Sequence, residues 1–231
     1  MQSSIRIEPL GDRAIVIRSV SFEGESGWRR TAALADAIAN RREAWIEDVV
    51  PAYETVTVVY DPLQLWQSAG NPADELPYGI AERQLRRMAS ILDQDELLYT
   101  ARRIDIPLRY GGEDGPDLAE AAERAGLSPE AFIAAHSGAE YTVAMIGFMP
   151  GFPYLSGLPE RLAQPRKEKP RTIVPAGSVG IAGLQTGIYP IETPGGWQLI
   201  GRTSFRLYDP DQEPPVLLRA GDRVRFIPEV T

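Results

Sequence analysis

VPAGSVGIAGLQTGIYP, residues 174–190, is the stretch of sequence that decides the fold of the C-terminal half. Short apolar runs alternate there with glycine and proline. Residues 147–202 around it contain 10 Gly and 8 Pro, a density that by itself would suggest disorder. Aromatic and β-branched residues are interleaved throughout, however. The pattern therefore predicts short strands joined by long, shaped loops, as in a β-barrel.

The segments on either side extend this interpretation. Residues 104–106 predict a short strand that Pro107 ends, because proline cannot donate to a ladder. Asp117 and Ser128 each predict the N-cap of a helix, and Ser128 is followed by proline at the first helical position. Residues 223–227 alternate and predict the final strand.

The first hundred residues have a different pattern, in which two strands alternate with one helix. The predicted elements are strands 5–7 and 14–17, helix 31–43, strands 47–52 and 55–60, and helix 80–92. This order indicates a small antiparallel sheet with helices on one side. The apolar pattern breaks at 93–103, which predicts an α+β chain of two domains, residues 1–98 and 99–231.

Composition excludes several classes of function. The formal charge of −8 argues against non-specific nucleic acid binding, which needs a cationic face. The chain has no cysteine, so disulfides, thiolate metal sites and cysteine nucleophiles are excluded. With no run of 18 apolar residues and no signal-peptide pattern, we expect a cytoplasmic protein that does not bind membranes.

Missing motifs narrow the chemistry further. A single histidine excludes a multi-histidine metal site, and no metal is expected. The sequence has neither a P-loop for ATP nor a G-x-S-x-G nucleophile elbow. If this chain handles ATP or an acyl group, most of the machinery is therefore unconventional or lies on a partner.

One candidate site is the segment 147–155, GFMPGFPYL. Its prolines and glycines hold Phe148, Phe152 and Tyr154 in a rigid apolar surface at low entropic cost. Such a surface suits a pocket wall or a groove for a partner. The alternative is a loop that plugs the mouth of the barrel.

The segment 165–171, PRKEKPR, is a second candidate. It concentrates four cations in an otherwise acidic chain and contains the only two lysines, Lys167 and Lys169. Arg166 and Arg171 can grip a carboxylate or phosphate through two hydrogen bonds each, so the segment predicts an anion site. A solvated loop is the alternative.

His136 is the sole imidazole and lies at the predicted C-terminus of a helix. The helix dipole favours a protonated histidine there, which gives it a structural role. A general base is the alternative, because no other side chain here normally titrates near pH 7.

The glycines around residues 174–203 allow two interpretations. With Ser178, Gln185 and Thr203 they could let backbone N–H groups approach an oxyanion or a carbonyl ligand. Glycines are also what tight barrel corners require.

Taken together, these motifs resemble the KipI / allophanate hydrolase subunit 1 family. The resemblance covers essentially the whole chain, although residues 19–42 match only in pattern. It is carried by residues 50–54, 60–62, 110–118, 147–155, 174–181 and 193–203.

The resemblance implies a ferredoxin-like N-terminal domain and a cyclophilin-like β-barrel domain. It also implies a partner subunit similar to KipA or allophanate hydrolase subunit 2, and a further LamB/YcsF-like subunit. Members of the family serve in ATP-dependent opening of 5-oxoproline, in biotin-dependent carboxyl transfer to urea, or as histidine kinase inhibitors. Fold alone does not choose among these activities.

Our leading hypothesis is a subunit of a heteromeric, ATP-dependent 5-oxoprolinase that is inactive alone and shares its active site with the partner. ATP, bound with or by that partner, would activate the lactam for attack by water. Such a reaction needs anion clamps and a general base. The candidate catalytic residues are His136, Arg166 and Arg171, and the candidate substrate-binding residues are Phe148, Tyr154, Ser178, Gln185, Trp197 and Arg202.

Two alternatives remain open at this stage. A kinase inhibitor would use the surface from Phe148 to Tyr154 against a helical target. A component of a urea carboxylase or allophanate hydrolase system would need biotin from another chain, because no biotin attachment motif is present here.

Overall fold

The computed structural model describes residues 5–19, 24–92 and 101–229. The chain divides into two compact units, residues 1–100 and 101–231. No helix in the described ranges combines the length and the apolar character that crossing a membrane requires.

The N-terminal unit is a four-stranded antiparallel sheet with three helices. Its strand order is β1-β2-β4-β3, so the two hairpins of the sequence lie side by side. The elements are β1 (Ile5–Pro9), β2 (Ala14–Ser19), α1 (Gly24–Ala39), β3 (Ile46–Ala52), β4 (Thr55–Tyr60), α2 (Pro62–Ser68) and α3 (Pro77–Leu92).

One face of this sheet forms the core of the unit. Along β4, Val56, Val58 and Tyr60 are buried while the alternating residues are half-buried, as the period of two in a strand requires. Ile38 of α1 and Leu85 of α3 belong to the same cluster. The predicted hairpin β1–β2 and the predicted strands β3 and β4 are therefore confirmed.

Two helices of this unit differ from the prediction. Helix α1 begins at Gly24 and ends at Ala39, whereas the sequence predicted residues 31–43. Helix α2 was not predicted, because Asp61-Pro62 was interpreted only as the end of a strand. Asp61 is in fact an N-cap whose Oδ1 accepts from the amides of Leu63 at 2.9 Å and Gln64 at 3.0 Å.

The C-terminal unit contains nine strands, two α-helices and one 3₁₀ turn within its described residues. The elements are β5 (Arg103–Tyr110), α4 (Leu118–Arg124), α5 (Pro129–Ser137), β6 (Tyr141–Ile146), β7 (Pro153–Ser156), the 3₁₀ turn Glu160–Leu162, β8 (Arg171–Val174), β9 (Ser178–Ala182), β10 (Gln185–Ile188), β11 (Thr193–Gly195), β12 (Gln198–Arg202) and β13 (Arg223–Pro228).

Seven of these strands form a closed ring, so the predicted barrel is confirmed. The order is β5-β12-β9-β10-β7-β6-β13, and the parallel pairing of β13 with β5 closes it. The strands β8 and β11 pair with each other in a separate two-stranded sheet.

The interior of the ring is filled by side chains. Ile106, Tyr141, Ile181 and Phe226 come from four different strands and are all fully buried in one cluster. Helices α4 and α5 add Leu118, Ala121, Ala122 and Phe132 to that cluster. The barrel is therefore a packed core and not a ligand cavity.

The strand β5 runs through Pro107, which corrects the prediction that this proline ends it. The carbonyl of Leu108 accepts from the amide of Glu229 at 3.0 Å, so Leu108 faces β13. Pro107 alternates with Leu108 and directs its nitrogen toward β12, whose described pairing with β5 begins only at Arg109. No ladder hydrogen bond is lost, because the proline occupies a position that needs no donor.

The turn between β8 and β9 gives a testable consequence. Gly177 has a φ of +81°, and a Cβ there would lie 2.0 Å from the carbonyl oxygen of Thr203. We expect Gly177→Ala to lower the free energy of unfolding by roughly 3 kcal/mol or more, because both the backbone strain and the clash must be relieved. Chemical denaturation of the purified chain measures this.

Gly183→Ala is the matched control for this substitution. Gly183 also has a positive φ, +57°, but no atom lies within 4 Å of the position of its Cβ. This variant should lose only roughly 1 kcal/mol. Equal losses in the two variants would show that the close contact with Thr203 is unimportant.

Candidate functional site

A pair of glycines makes the floor of the candidate site on the outer wall of the barrel. Gly180 of β9 and Gly187 of β10 face each other across the two strands. A Cβ on Gly180 would lie 2.9 Å from the Cβ of Trp197, and one on Gly187 would lie 2.8 Å from the ring of Phe152. The two glycines therefore let large aromatic rings pack directly against the barrel backbone.

Phe152 is the centre of this aromatic layer. Its ring lies edge-on to Tyr154, Tyr189 and Trp197, with centroid distances of 4.9, 5.2 and 5.5 Å. Such edge-to-face contacts are the geometry that aromatic quadrupoles favour. Burial raises the pKa of Tyr189, so its phenol stays protonated and is available as a hydrogen-bond donor.

The aromatic layer is one side of a pocket of about 280 Å³. Cationic side chains from the segment 165–171 and small residues from β11 and the loop after it form the other side. The lining residues are Phe148, Phe152, Tyr154, Arg166, Lys167, Pro170, Tyr189, Pro194, Gly195, Gly196 and Trp197. The pocket thus joins a flat apolar surface to positive charge.

Phe148 stands at the rim of this pocket on strained backbone. Its side chain is 63% exposed, and its φ of +68° is unusual for a residue that is not glycine. The ring contacts Phe152 edge-on at 5.6 Å. Strain of this kind costs roughly 1–3 kcal/mol and concentrates at functional positions. The predicted alternative of a loop that plugs the barrel mouth is wrong, because the barrel interior is already filled and Phe148 faces outward.

The cationic segment is held beside the pocket by its backbone. The amide of Lys167 donates to the carbonyl of Gly196 at 2.8 Å, which places both residues in the pocket wall. Arg166 also lines the pocket, and within the described part of the chain it has no hydrogen bond or ion pair. Its guanidinium is therefore available to an anion.

Asp117 anchors two other cations of this segment. Its Oδ1 accepts from Lys167 Nζ at 3.0 Å and from Arg171 Nη2 at 2.7 Å, while its Oδ2 accepts from the amide of Leu199 at 2.7 Å. The predicted N-cap role of its side chain is wrong, since that carboxylate makes no capping hydrogen bond to α4. The three donors from outside the helix replace it.

Asp117 remains ionised in spite of its burial. Burial favours the neutral acid, but hydrogen bonds from Arg171, the Leu199 amide and Lys167 outweigh it and keep the pKa of Asp117 below its ordinary value. Arg171 itself does not line the pocket, and its Nη1 is buried without a hydrogen-bond partner among the described residues. The structure therefore places Arg171 behind the pocket wall.

His136 lies inside the barrel core and not at the pocket. Its ring is fully buried, stacks on Phe226 at 4.8 Å, and has Tyr110 and Tyr141 on its other sides. Burial lowers the pKa of His136 to about 3. The helix-end position was predicted correctly, but the imidazole is neutral there, so the protonated structural role is wrong.

The hydrogen bonds of His136 form a closed chain. The Thr186 hydroxyl donates to the carbonyl of Gly180 at 3.0 Å, so Thr186 Oγ1 accepts from His136 Nε2 at 3.3 Å. His136 Nδ1 in turn accepts from the Tyr110 hydroxyl at 2.7 Å. Each polar atom has a partner, and none is left for a substrate.

Three other predicted residues also lie away from the pocket. Arg202 forms an ion pair with Asp114 at 2.6 Å, and Ser178 is buried in β9. Gln185 is half-buried at the start of β10 and does not line the pocket. Of the nine predicted site residues, the structure thus brings together Phe148, Tyr154, Arg166 and Trp197.

Sequence reasoning missed the residues that organise this site. Tyr189 and Gly187 carried no signal beyond an apolar run and a turn residue. Asp117 was recognised, but as a helix cap, because its contacts with Lys167 and Arg171 span 50 and 54 residues of sequence. Only the spacing of the glycines in β9 and β10 could have indicated a surface that receives aromatic rings.

Comparison with known proteins assigns this site to a family. The model of the carboxyltransferase domain, subdomain C and D, matches residues 5–218. The chain therefore belongs to that family, and its curated relatives within the family are 5-oxoprolinase B subunits. The subunit from Bacillus subtilis (strain 168) is 45% identical over 226 residues, which are 96% of this chain and 92% of that protein. The subunit from Escherichia coli O157:H7 is 52% identical over 154 residues, 66% of this chain and 71% of that protein.

Solved structures agree with this assignment. TTHA0988 superposes with a TM-score of 0.79 and 41% identity over 95% of this chain, which spans only 40% of that longer chain. The urea carboxylase of Kluyveromyces lactis superposes with a TM-score of 0.70 at 19% identity, over 98% of this chain and 22% of that one, and shares the fold alone. The family resemblance inferred from the sequence motifs is therefore confirmed.

The buried neutral His136 predicts how stability depends on pH. The unfolded chain binds a proton on this residue near pH 6.5, whereas the folded chain resists protonation until about pH 3. Stability is therefore lost as the pH falls below 6.5. We expect the free energy of unfolding to decrease by about 2 kcal/mol between pH 7 and pH 5 from this group.

Urea denaturation of the wild type and of His136→Gln at these two pH values tests the prediction. The variant is expected to be less stable at pH 7 but to lack the decrease of about 2 kcal/mol that the histidine causes. An equal decrease in the two proteins would show that His136 is protonated in the folded state.

Proposed function

We propose that this chain is the B subunit of a cytoplasmic, heteromeric 5-oxoprolinase, and that the pocket beside Trp197 binds 5-oxoproline. The observation that carries the proposal is the combination of the unpaired Arg166 with a flat aromatic wall. The names of the curated relatives support the same activity.

The chemistry of the substrate fits this combination. 5-Oxoproline is a nearly planar five-membered lactam that carries one carboxylate. The guanidinium of Arg166 can bind the carboxylate through two hydrogen bonds, and the ring can lie against Tyr154 and Trp197. The exposed Phe148 can cover the ring from the rim of the pocket.

Hydrolysis needs groups that the pocket lacks. Its lining contains cations and tyrosines but no carboxylate and no histidine, so it offers no general base for water within the described residues. His136 is enclosed in the core and is not part of the site we propose. We therefore assign the base to a partner similar to KipA or allophanate hydrolase subunit 2, which would complete the active site at the rim.

The pocket does not fit ATP. Its volume of about 280 Å³ suits a small acid and is at the lower limit for ligand pockets. The site also lacks the glycine-rich loop that usually wraps phosphates. We propose that the partner, alone or with a LamB/YcsF-like subunit, supplies the nucleotide site.

The fold supports the family's domain assignment, which we propose for residues 1–98 and 99–231. The sheet order β1-β2-β4-β3 has the arrangement of a ferredoxin-like domain in which the last strand has moved to the start of the chain. The filled, closed ring with long loops supports a cyclophilin-like barrel.

Two other activities occur among similar proteins or follow from the surface. A urea amidolyase of Lachancea kluyveri is 43% identical over 63 residues, only 25% of this chain. The exposed Phe148 would also suit the surface of an inhibitor that binds a histidine kinase. Both alternatives predict no 5-oxoprolinase activity in any assembly that contains this chain.

Arg166→Lys tests the role of the pocket cation. We expect the KM of the assembled enzyme for 5-oxoproline to increase about tenfold, because lysine keeps the charge but cannot make two parallel hydrogen bonds to a carboxylate. Steady-state release of glutamate measures this.

Arg202→Lys is the control, because Arg202 pairs with Asp114 away from the pocket. Its KM should stay within about twofold of the wild type, as expected for a substitution remote from the ligand. Unchanged kinetics in Arg166→Lys would exclude Arg166 from substrate binding.

The absence of a base in the pocket predicts that this chain needs its partner. We expect the isolated chain to release no glutamate from 5-oxoproline and ATP, and the assembled complex to do so. Sustained turnover by the purified chain alone would overturn the shared site, and inactivity of every assembly would overturn the proposed function.

A further inference from the structure

Asp117 occupies a position where its usual function would be to cap a helix. Instead, its backbone and side chain both bind Leu199 of β12. The amide of Asp117 donates to the carbonyl of Leu199 at 2.9 Å, and its Oδ2 accepts from the amide of Leu199 at 2.7 Å. This reciprocal pair fixes the carboxylate against the barrel wall.

The other carboxylate oxygen connects Asp117 to the cationic segment. Oδ1 binds both Lys167 and Arg171, whose side chains are 27% and 25% exposed, while that of Asp117 is only 4% exposed. Ion pairs this far from solvent are screened much less than surface pairs. Breaking such a pair leaves an uncompensated charge, so the arrangement is strongly held.

This arrangement determines which positive charge the pocket offers. Lys167 lines the pocket, but its ammonium group is already bound to Asp117. Lys169 is exposed and does not line the pocket. Among the described lining residues, Arg166 is therefore the cation without a protein partner.

We infer that Asp117 is a positioning residue that makes the pocket selective for singly charged anions. It holds Lys167 and Arg171 in place and offsets their charge, so that Arg166 alone binds the ligand. This inference rests on the proposed function only in that it concerns the same pocket. It states the charge class that the pocket accepts and the residue that sets it.

The physical reason for the selectivity is electrostatic. A second negative charge on a ligand would have to bind Lys167, which Asp117 occupies, and would lie one side chain away from the carboxylate of Asp117. At that separation the repulsion between two charges near a protein surface is large enough to change affinity about tenfold. A ligand with one carboxylate avoids this repulsion.

The two lysines give a test of positioning that needs no ligand. Lys167 and Lys169 are the only lysines of the chain, so acetylation by an N-hydroxysuccinimide ester can be followed at each by mass spectrometry. In the wild type we expect Lys167 to react at least about fivefold more slowly than Lys169, because its amine is bound to Asp117. Similar rates in the wild type would overturn the inference without any variant.

Asp117→Asn extends this test, and Asp114→Asn is its matched control. Asp114 lies three residues earlier and also pairs with two arginines, Arg109 and Arg202, but neither lines the pocket. We expect the rates of the two lysines to approach each other in Asp117→Asn and to keep the wild-type ratio in Asp114→Asn. Asp117→Glu, which keeps the charge, replaces Asp117→Asn if that variant does not fold, and should give an intermediate ratio.

Calorimetric titration of the full chain tests the selectivity itself. The probes are 5-oxoproline, with one carboxylate, and glutarate, a five-carbon dicarboxylate. The wild type should prefer 5-oxoproline, and Asp117→Asn should raise the affinity for glutarate relative to 5-oxoproline about tenfold, while Asp114→Asn leaves the ratio unchanged.

The outcomes separate this inference from the proposed function. If the wild type binds 5-oxoproline and Asp117→Asn keeps its charge preference, the inference is wrong and the proposed substrate site stands. If the wild type binds glutarate as tightly as 5-oxoproline, the selectivity is absent and the inference is again wrong. If no protein binds either probe, the pocket is not an anion site, and the inference fails together with the proposed binding site.

Discussion

Closure of the seven-stranded ring is the constraint on which the C-terminal unit depends. Once β13 pairs with β5, every strand of the ring has two neighbours, and the inward side chains fill the interior completely. No room for a ligand is left inside. A site for a small molecule must therefore be built on the outer wall, from loops and from side chains that cross it.

The outer wall shows how this is done. Gly180 and Gly187 remove the side chains that would otherwise separate the wall from its covering, and Phe152 and Trp197 pack in their place. β9 is consequently buried on both faces. The aromatic layer contributes apolar burial to the unit and at the same time presents a flat surface to the pocket, so stability and binding use the same contacts.

Charge is distributed in the opposite way from the average of the chain. The protein carries a formal charge of −8, yet the pocket wall is cationic. Asp117 makes this possible, because one buried carboxylate compensates two of the cations and fixes the segment that bears them. The pocket can therefore concentrate positive charge without leaving several cations unpaired in a partly buried position.

What the sequence determined by itself is local, and what the tertiary structure decided depends on distant partners. The hairpin β1–β2, the strands β3 and β4, helix α5 and the barrel class follow from periodicity and turn residues, which act over a few neighbouring positions. The family follows from its long motifs. The roles of His136 and Asp117 did not follow, because burial inside a closed barrel and ion pairs across 50 residues are properties of the folded chain. A titratable residue takes its chemistry from the groups packed around it, and only the tertiary structure brings those groups together.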